Sequence, residues 1–179
     1  MSTPKHKIFL SFHSEDIFWK NEFEALFHDS TDVIISRSVK EGDISDQLKT
    51  ETIRQKIRDE YLRESTVTIV LIGKKTWQRK HVDWEIGSSL RHTQFNKRSG
   101  LIGIFLPDFP LNTNNTFNPR IVPPRLVDNL DNGFATVHRW TEDANIIKEW
   151  VHNAYLRKDE IIPNNSREAY GRNRTTNNW

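Results

Sequence analysis

The chain has no cysteine, a single methionine and only seven glycines among 179 residues. Without cysteine there are no disulfides, no thiolate metal ligands and no catalytic thiol, and a reducing, cytoplasmic compartment is the expected home. No apolar run approaches the roughly 18 residues that cross a bilayer. The start, Met1 to Lys7, is polar with no hydrophobic signal region behind it, so neither secretion nor membrane insertion is expected. A one-sided charge is missing too. There are 26 Lys and Arg against 24 Asp and Glu; residues 163–179 hold three of the former and one of the latter, so residues 1–162 carry 23 of each. Nucleic-acid binders show a basic stripe that displaces counterions along the phosphates, and this chain offers only a short basic tail. What is present is a core: 48 residues are Leu, Ile, Val or Phe, more than a quarter of the chain and above the roughly 20% below which disorder sets in.

The apolar pattern alternates between short strands and helices. Ile8 to Phe12 is a run of β-formers, after which Ser14 reads as an N-cap, Glu15 and Asp16 as a first turn, and Trp19, Phe23, Leu26 and Phe27 as a helix face. Asp32 to Ser36 is a brief second strand, followed by a polar loop, Arg37 to Asp43, in which Gly42 allows a turn. Ile53, Ile57 and Tyr61 then mark one stripe of a charged helix, with Lys49, Glu51, Arg54, Lys56, Arg58 and Glu60 expected to face water. Thr66 to Ile72 is the most apolar stretch and the expected central strand. A polar and aromatic segment, Gly73 to Asp83, precedes a short helix expected over Trp84 to Phe95. Leu101 to Leu106 is another buried strand, and Phe134 to Val137 an edge strand. The stretch rich in Asn and Pro from Pro107 to Pro124 is longer than usual connections of about 4–6 residues, which marks it as functional or mobile. Thr141 is the expected cap of a last helix carrying Ile146, Ile147, Trp150, Val151 and Ala154, and the tail from Asn164 reads as loosely ordered.

This order implies an α/β fold: a flavodoxin-like three-layer sandwich with a parallel sheet of about five strands and helices on both faces. The chain divides into a flexible N-terminus (1–6), one domain (7–162) and a polar, basic C-terminal tail (163–179). Ligands of such sheets sit beyond the carboxyl ends of the strands. The candidate site therefore comprises Phe12, His13 and Ser14 after strand one, Arg37 to Asp43 after strand two, and Lys74 to Glu85 after strand three.

Several tenants of the fold are excluded by what these loops lack. A phospho-receiver has its acceptor Asp at the end of strand three, where this chain reads Val70, Leu71, Ile72, Gly73. Ser11 to Ile17 contains no glycine, which removes both a flavodoxin phosphate loop and a dinucleotide G-x-G-x-x-G. Neither a P-loop nor an H-E-x-x-H zinc site occurs, and His81 with Glu85 makes only two ligands, so no metal is expected. One carboxylate remains, Glu85, among Trp77, His81, Asp83 and Trp84. Taken alone, it reads first as a first-turn helix acid beside a core tryptophan.

The stretch Phe9-Leu10-Ser11-Phe12, the loop Arg37 to Asp43 and the segment Thr76 to Leu90 together resemble the first box, the loop after strand two and the glutamate-bearing segment of TIR domains. More closely, Lys7 to Phe12, Ser38-Val39-Lys40-Glu41-Gly42-Asp43 and Val82-Asp83-Trp84-Glu85-Ile86-Gly87 resemble the TIR-like subunits of the Thoeris anti-phage system, the Thoeris B family, from about Lys7 to Glu160. The resemblance implies an enzyme that consumes NAD as substrate, needs no cofactor, releases nicotinamide and makes a cyclic ADP-ribose isomer. That diffusible nucleotide activates a separate Sir2-type effector that depletes NAD. It also implies self-association on activation. Alternatives are a non-enzymatic TIR adaptor that works through homotypic contacts, and a nucleoside deoxyribosyltransferase, which shares the topology and a single glutamate.

The residues are compatible with this chemistry. Glycosidases use two carboxylates because an alcohol needs a proton to leave. Nicotinamide departs from a pyridinium cation as a neutral amine, so one carboxylate steadying the oxocarbenium-like sugar suffices. Glu85 is the candidate for that role, a helix start being expected to favour its anion. Cyclisation further requires that water be held away, a role for Trp77, Trp84 and Phe12. Arg37 and Asp43 are candidates for the diphosphate or ribose, and His13 and Ser14 stand where some relatives have basic residues. His81 occupies the place, four before the glutamate, where many TIR enzymes have tryptophan.

Overall fold

Five strands form one parallel sheet in the order β2-β1-β3-β4-β5: β1 (His6–Ser11), β2 (Val33–Ile35), β3 (Val67–Ile72), β4 (Gly100–Phe105) and β5 (Ala135–Arg139). The computed structural model describes residues 4–36, 45 and 47–179; the loop Arg37 to Asp43, with the candidate residues Arg37 and Asp43, lies outside the described residues. The architecture is the flavodoxin-like one expected, with β3 at the centre and β5 at an edge. Among the described residues the helices are α1 (Ile17–Ala25), α2 (Thr50–Lys56), α3 (Lys80–Ser89), α4 (Pro124–Asp131) and α5 (Ala144–Glu160).

The two-residue period of the strands sorts the core into layers. Ile8 and Leu10 of β1, with Ile69 and Leu71 of β3, pack against Phe23 of α1 and Ile147 and Val151 of α5. Val70 and Ile72 turn the other way, onto Val82 and Ile86 of α3 and Leu126 of α4. Phe9 also faces that second layer, where Ile53, Ile57, Leu62 and Trp84 enclose it. Ser11, two residues after Phe9, consequently ends β1 on the α3 side of the sheet.

Several local expectations are corrected. Helix α3 starts at Lys80, inside the segment read as irregular, and ends at Ser89. No side chain next to it caps its start; the Lys80 N–H donates to Asn173 Oδ1 at 2.9 Å, an acceptor 93 positions away in the tail. The short α4 was concealed by Pro123 and Pro124, the latter of which is its first residue, where proline is tolerated. His13, not Ser14, caps the first turn: its imidazole Nδ1 accepts from Glu15 N at 3.3 Å. Asp143, not Thr141, caps α5, accepting from Asn145 N and Ile146 N. Arg54 and Arg58, expected in water, are buried: a π-helical turn over Ile57–Tyr61 continues α2, and the Arg54 guanidinium lies against Gly87 of α3.

The tail is not loose. Tyr170 is buried, Trp84 Nε1 donates to Tyr170 O at 2.8 Å, and Trp179 Nε1 donates to Val122 O at 2.7 Å. Its irregular backbone is held by side chains of α3 and α4, so its order comes from remote partners rather than from its own composition.

Candidate active site

Glu85 lies in the second turn of α3 and points at the end of β1, where the Ser11 hydroxyl donates to Glu85 Oε2. The residue is 1% exposed. Burial disfavours the anion and pushes the carboxyl well above its ordinary value, against the smaller opposing pull of the Ser11 hydrogen bond. The expected help from a helix start is therefore absent: the helix begins five residues earlier, and the terminal field fades within the first turn. Glu85 is set in a buried polar seam. Ser89 Oγ donates to Glu85 O at 2.8 Å and lies 2.7 Å from Thr68 Oγ1 on β3, while Ser88 Oγ donates to Trp84 O at 2.7 Å. The seam fixes the face that α3 presents to the sheet.

His81 sits one turn before Glu85. Its Nε2 is 3.1 Å from Phe12 O; a carbonyl only accepts, so that nitrogen carries the proton. His81 thus ties α3 to the turn after β1. The Phe12 ring, by contrast, packs with the layer of α1 and α5 and not with α3. His13 is buried, and its imidazole is held below its ordinary value by burial and then by the Arg79 charge. Its Nε2 is 3.9 Å from Glu15 Oε2. Ser14 is exposed, its Oγ 3.3 Å from His13 Nδ1.

Both tryptophans are part of the interior. Trp77 is buried in a 3₁₀ turn over Thr76–Gln78. Trp84 packs with Phe9, Ile53 and Ile57, and Lys80 Nζ stands 5.2 Å from its ring centre. The structure therefore brings together Glu85, Ser11 and His81, leaves Trp84 in the adjoining core, and directs Phe12 to the opposite layer.

Two residues read in the sequence were not among its site candidates. Ser11 is the one hydroxyl of β1, at its carboxyl end after Ile8, Phe9 and Leu10 and on the same face as Phe9. Asp16 follows in the next turn, half-buried beside Gly73, where any Cβ would collide with Asp16 Oδ2. Burial, then the Asp108 and Glu15 charges, raise Asp16 to about 6, with a Thr76 hydrogen bond opposing. Its surroundings come from two other loops, which no local pattern reveals. Among the described residues, no three His, Asp or Glu side chains come together as a metal site, and no helix is long and apolar enough to cross a membrane.

The family model of the Thoeris protein ThsB, TIR-like domain, matches residues 9–109, more than half of the chain. The chain belongs to the ThsB TIR-like domain family. Among solved structures, it is similar to the TIR domains of the activated Roq1 resistosome, a structure described as directly recognising the pathogen effector XopQ. That likeness has 13% identity over 87% of this chain and 84% of the other, with a TM-score of 0.36. No curated protein matches the chain. The ThsB TIR-like match takes in Ser11, His81 and Glu85 and ends at Phe109, before α4, β5, α5 and the tail.

Proposed function

We propose that this ThsB-family chain consumes NAD, releasing nicotinamide and forming a cyclic ADP-ribose isomer that activates a separate Sir2-type effector in anti-phage defence. The observation that supports this reading is the placement of the Glu85 carboxyl at the carboxyl end of β1, hydrogen-bonded by Ser11 and one turn beyond His81. In the proposed step the bond between the ribose anomeric carbon and the pyridinium nitrogen breaks. Its electron pair goes to the ring nitrogen, so nicotinamide leaves neutral without a general acid. The Glu85 carboxylate faces the oxocarbenium-like sugar and holds its hydroxyls, and a nucleophile elsewhere on the same substrate closes the ring.

The raised pKa adds a condition. In this conformation Glu85 is covered and burial disfavours its anion, so substrate entry must both uncover it and favour the anion. The pyridinium cation itself supplies a pull toward the anion, since an opposite charge within roughly 4–6 Å lowers a carboxyl pKa. A resting protein would then be latent, consistent with activity that awaits assembly.

The test is to quantify nicotinamide and cyclic nucleotide in phage-challenged cells producing wild type or Glu85→Gln at matched levels. Loss of both products in the variant is expected. Equal product from the two proteins would remove the catalytic assignment. The second reading, a non-enzymatic TIR adaptor, is favoured by the 1% exposure of Glu85. It predicts that Glu85→Gln protects cells as well as wild type does.

A further inference from the structure

At the end of the sheet opposite Glu85, a cavity of about 450 Å³ opens beneath the amino-terminal ends of β3 and β4. Its walls come from four segments: the π-helical turn with Arg58, the approach to β3 at Arg63 to Thr66, the loop Phe95 to Arg98 before β4, and Tyr155 with Lys158 of α5. Five cations, Arg58, Arg63, Lys97, Arg98 and Lys158, line it against one acid, Glu64, which itself stands 3.8 Å from Lys7 Nζ.

Arg58 is the telling member. It is 2% exposed, yet its Nε and Nη1 have no hydrogen-bond partner. Its neighbour Asp59 is engaged elsewhere, accepting from Gln55 Nε2 at 2.7 Å and Asn96 Nδ2 at 3.0 Å. Guanidinium donors buried without acceptors are unfavourable, and the planar fork of donors matches the acceptor-only oxygens of a phosphate. Burial lowers its pKa to about 10, which leaves it cationic at neutral pH. Beside these charges Phe95 is 88% exposed, an aromatic face placed for stacking.

We propose that this cavity binds a phosphorylated small molecule of nucleotide size, its phosphates on Arg58, Lys97 and Arg98 and its base on Phe95. The volume of this open cleft lies within the roughly 300–1,000 Å³ of small-ligand pockets. The near balance of charge over the whole chain gives no basic track that an extended strand would need. The site is distinct from the candidate active site, because Ser65 and Thr66 precede β3 while Ser11 and Glu85 meet at the carboxyl end of β1; it does not rest on the proposed NAD chemistry.

Calorimetric titration with ADP, pyrophosphate, adenosine and a single-stranded oligonucleotide tests the proposal on the full chain. ADP is expected to bind, with adenosine about tenfold weaker or more. Arg58→Met and Lys97→Glu are each expected to weaken ADP about tenfold, and Phe95→Ala several-fold for ADP but not for pyrophosphate. Lys97 is exposed, so its variant carries the test if Arg58→Met does not fold. Absence of ADP binding, or ADP binding unchanged by Arg58→Met and Lys97→Glu, overturns the site. An oligonucleotide bound more tightly than ADP transfers the cavity to nucleic acid and overturns the small-ligand assignment.

Discussion

Above about pH 4.5, burial of the Glu85 carboxyl is expected to make the protein less stable than a neutral residue of the same shape would. Its folded pKa lies well above the ordinary 4.5, so between those two values the folded state binds the extra proton. Stability that is full below about pH 4.5 is therefore lost as pH rises toward the folded pKa. Glu85→Gln keeps the shape and removes the titration, so it is expected to raise Tm at about pH 8 and to give little gain near pH 4.5. Each kcal/mol recovered corresponds to about 2–4 °C for a domain of this size. Paired thermal melts across that pH range check it, and a difference that does not grow with pH would show that the carboxyl is not held neutral. A gain in stability beside a loss of product would be the usual trade between stability and activity, and the melts read the first independently of the second.

At the scale of elements, the position of α3 is set by contacts on both sides: the serine seam toward the sheet and the tail toward solvent. On the opposite face, α5 lies so close to β4 that a Cβ at Gly100 would collide with Ala154 O, a backbone atom that cannot rotate aside. Gly100→Ala is expected to displace α5 and to cost about 1–3 kcal/mol, read from urea unfolding. At Gly103 the nearest atoms are the ends of Ile72, Val137 and Leu126 side chains, which can shift. The alanine variant there is expected to lose less than Gly100→Ala.

Across the whole molecule, the tail and the domain meet at a fully buried arginine. Arg125 Nε donates to Asp83 Oδ1 at 2.9 Å and Nη2 to Asp83 Oδ2 at 3.3 Å, while Nη1 donates to Asn165 Oδ1 and Arg167 O. Asp83 also accepts from Tyr170 N at 2.9 Å. Removing one partner of a buried pair leaves an uncompensated charge, so Asp83→Ala is expected to cost about 3–5 kcal/mol in urea unfolding. Deleting residues 164–179 strips other acceptors from the same guanidinium and the cap from Lys80 N. Because both changes act on Arg125, their combined cost is expected to fall short of the sum by about 0.5–3 kcal/mol. Strict additivity in that cycle would show that the tail and the Asp83 pair act independently.

The five strands, the central place of β3 and the segment bearing Glu85 were legible in the chain, whereas α4, which opens on a proline, was not. Their signals, β-branched runs and a three-to-four-residue apolar period, are local, and a buried sheet amplifies them. The start of α3, the burial of Arg54 and Arg58, and the docking of the tail were not legible. The first, the burial of Arg54 and the last depend on partners far away in sequence: Asn173 for Lys80, Gly87 against the Arg54 guanidinium, Asp83 for Tyr170 N. The same division runs through the candidate site. Residue type and spacing singled out a lone carboxyl at position 85, whereas its cover, its Ser11 donor and its preference for the proton arise only when β1 and α3 pack, because desolvation is a property of the assembled interior.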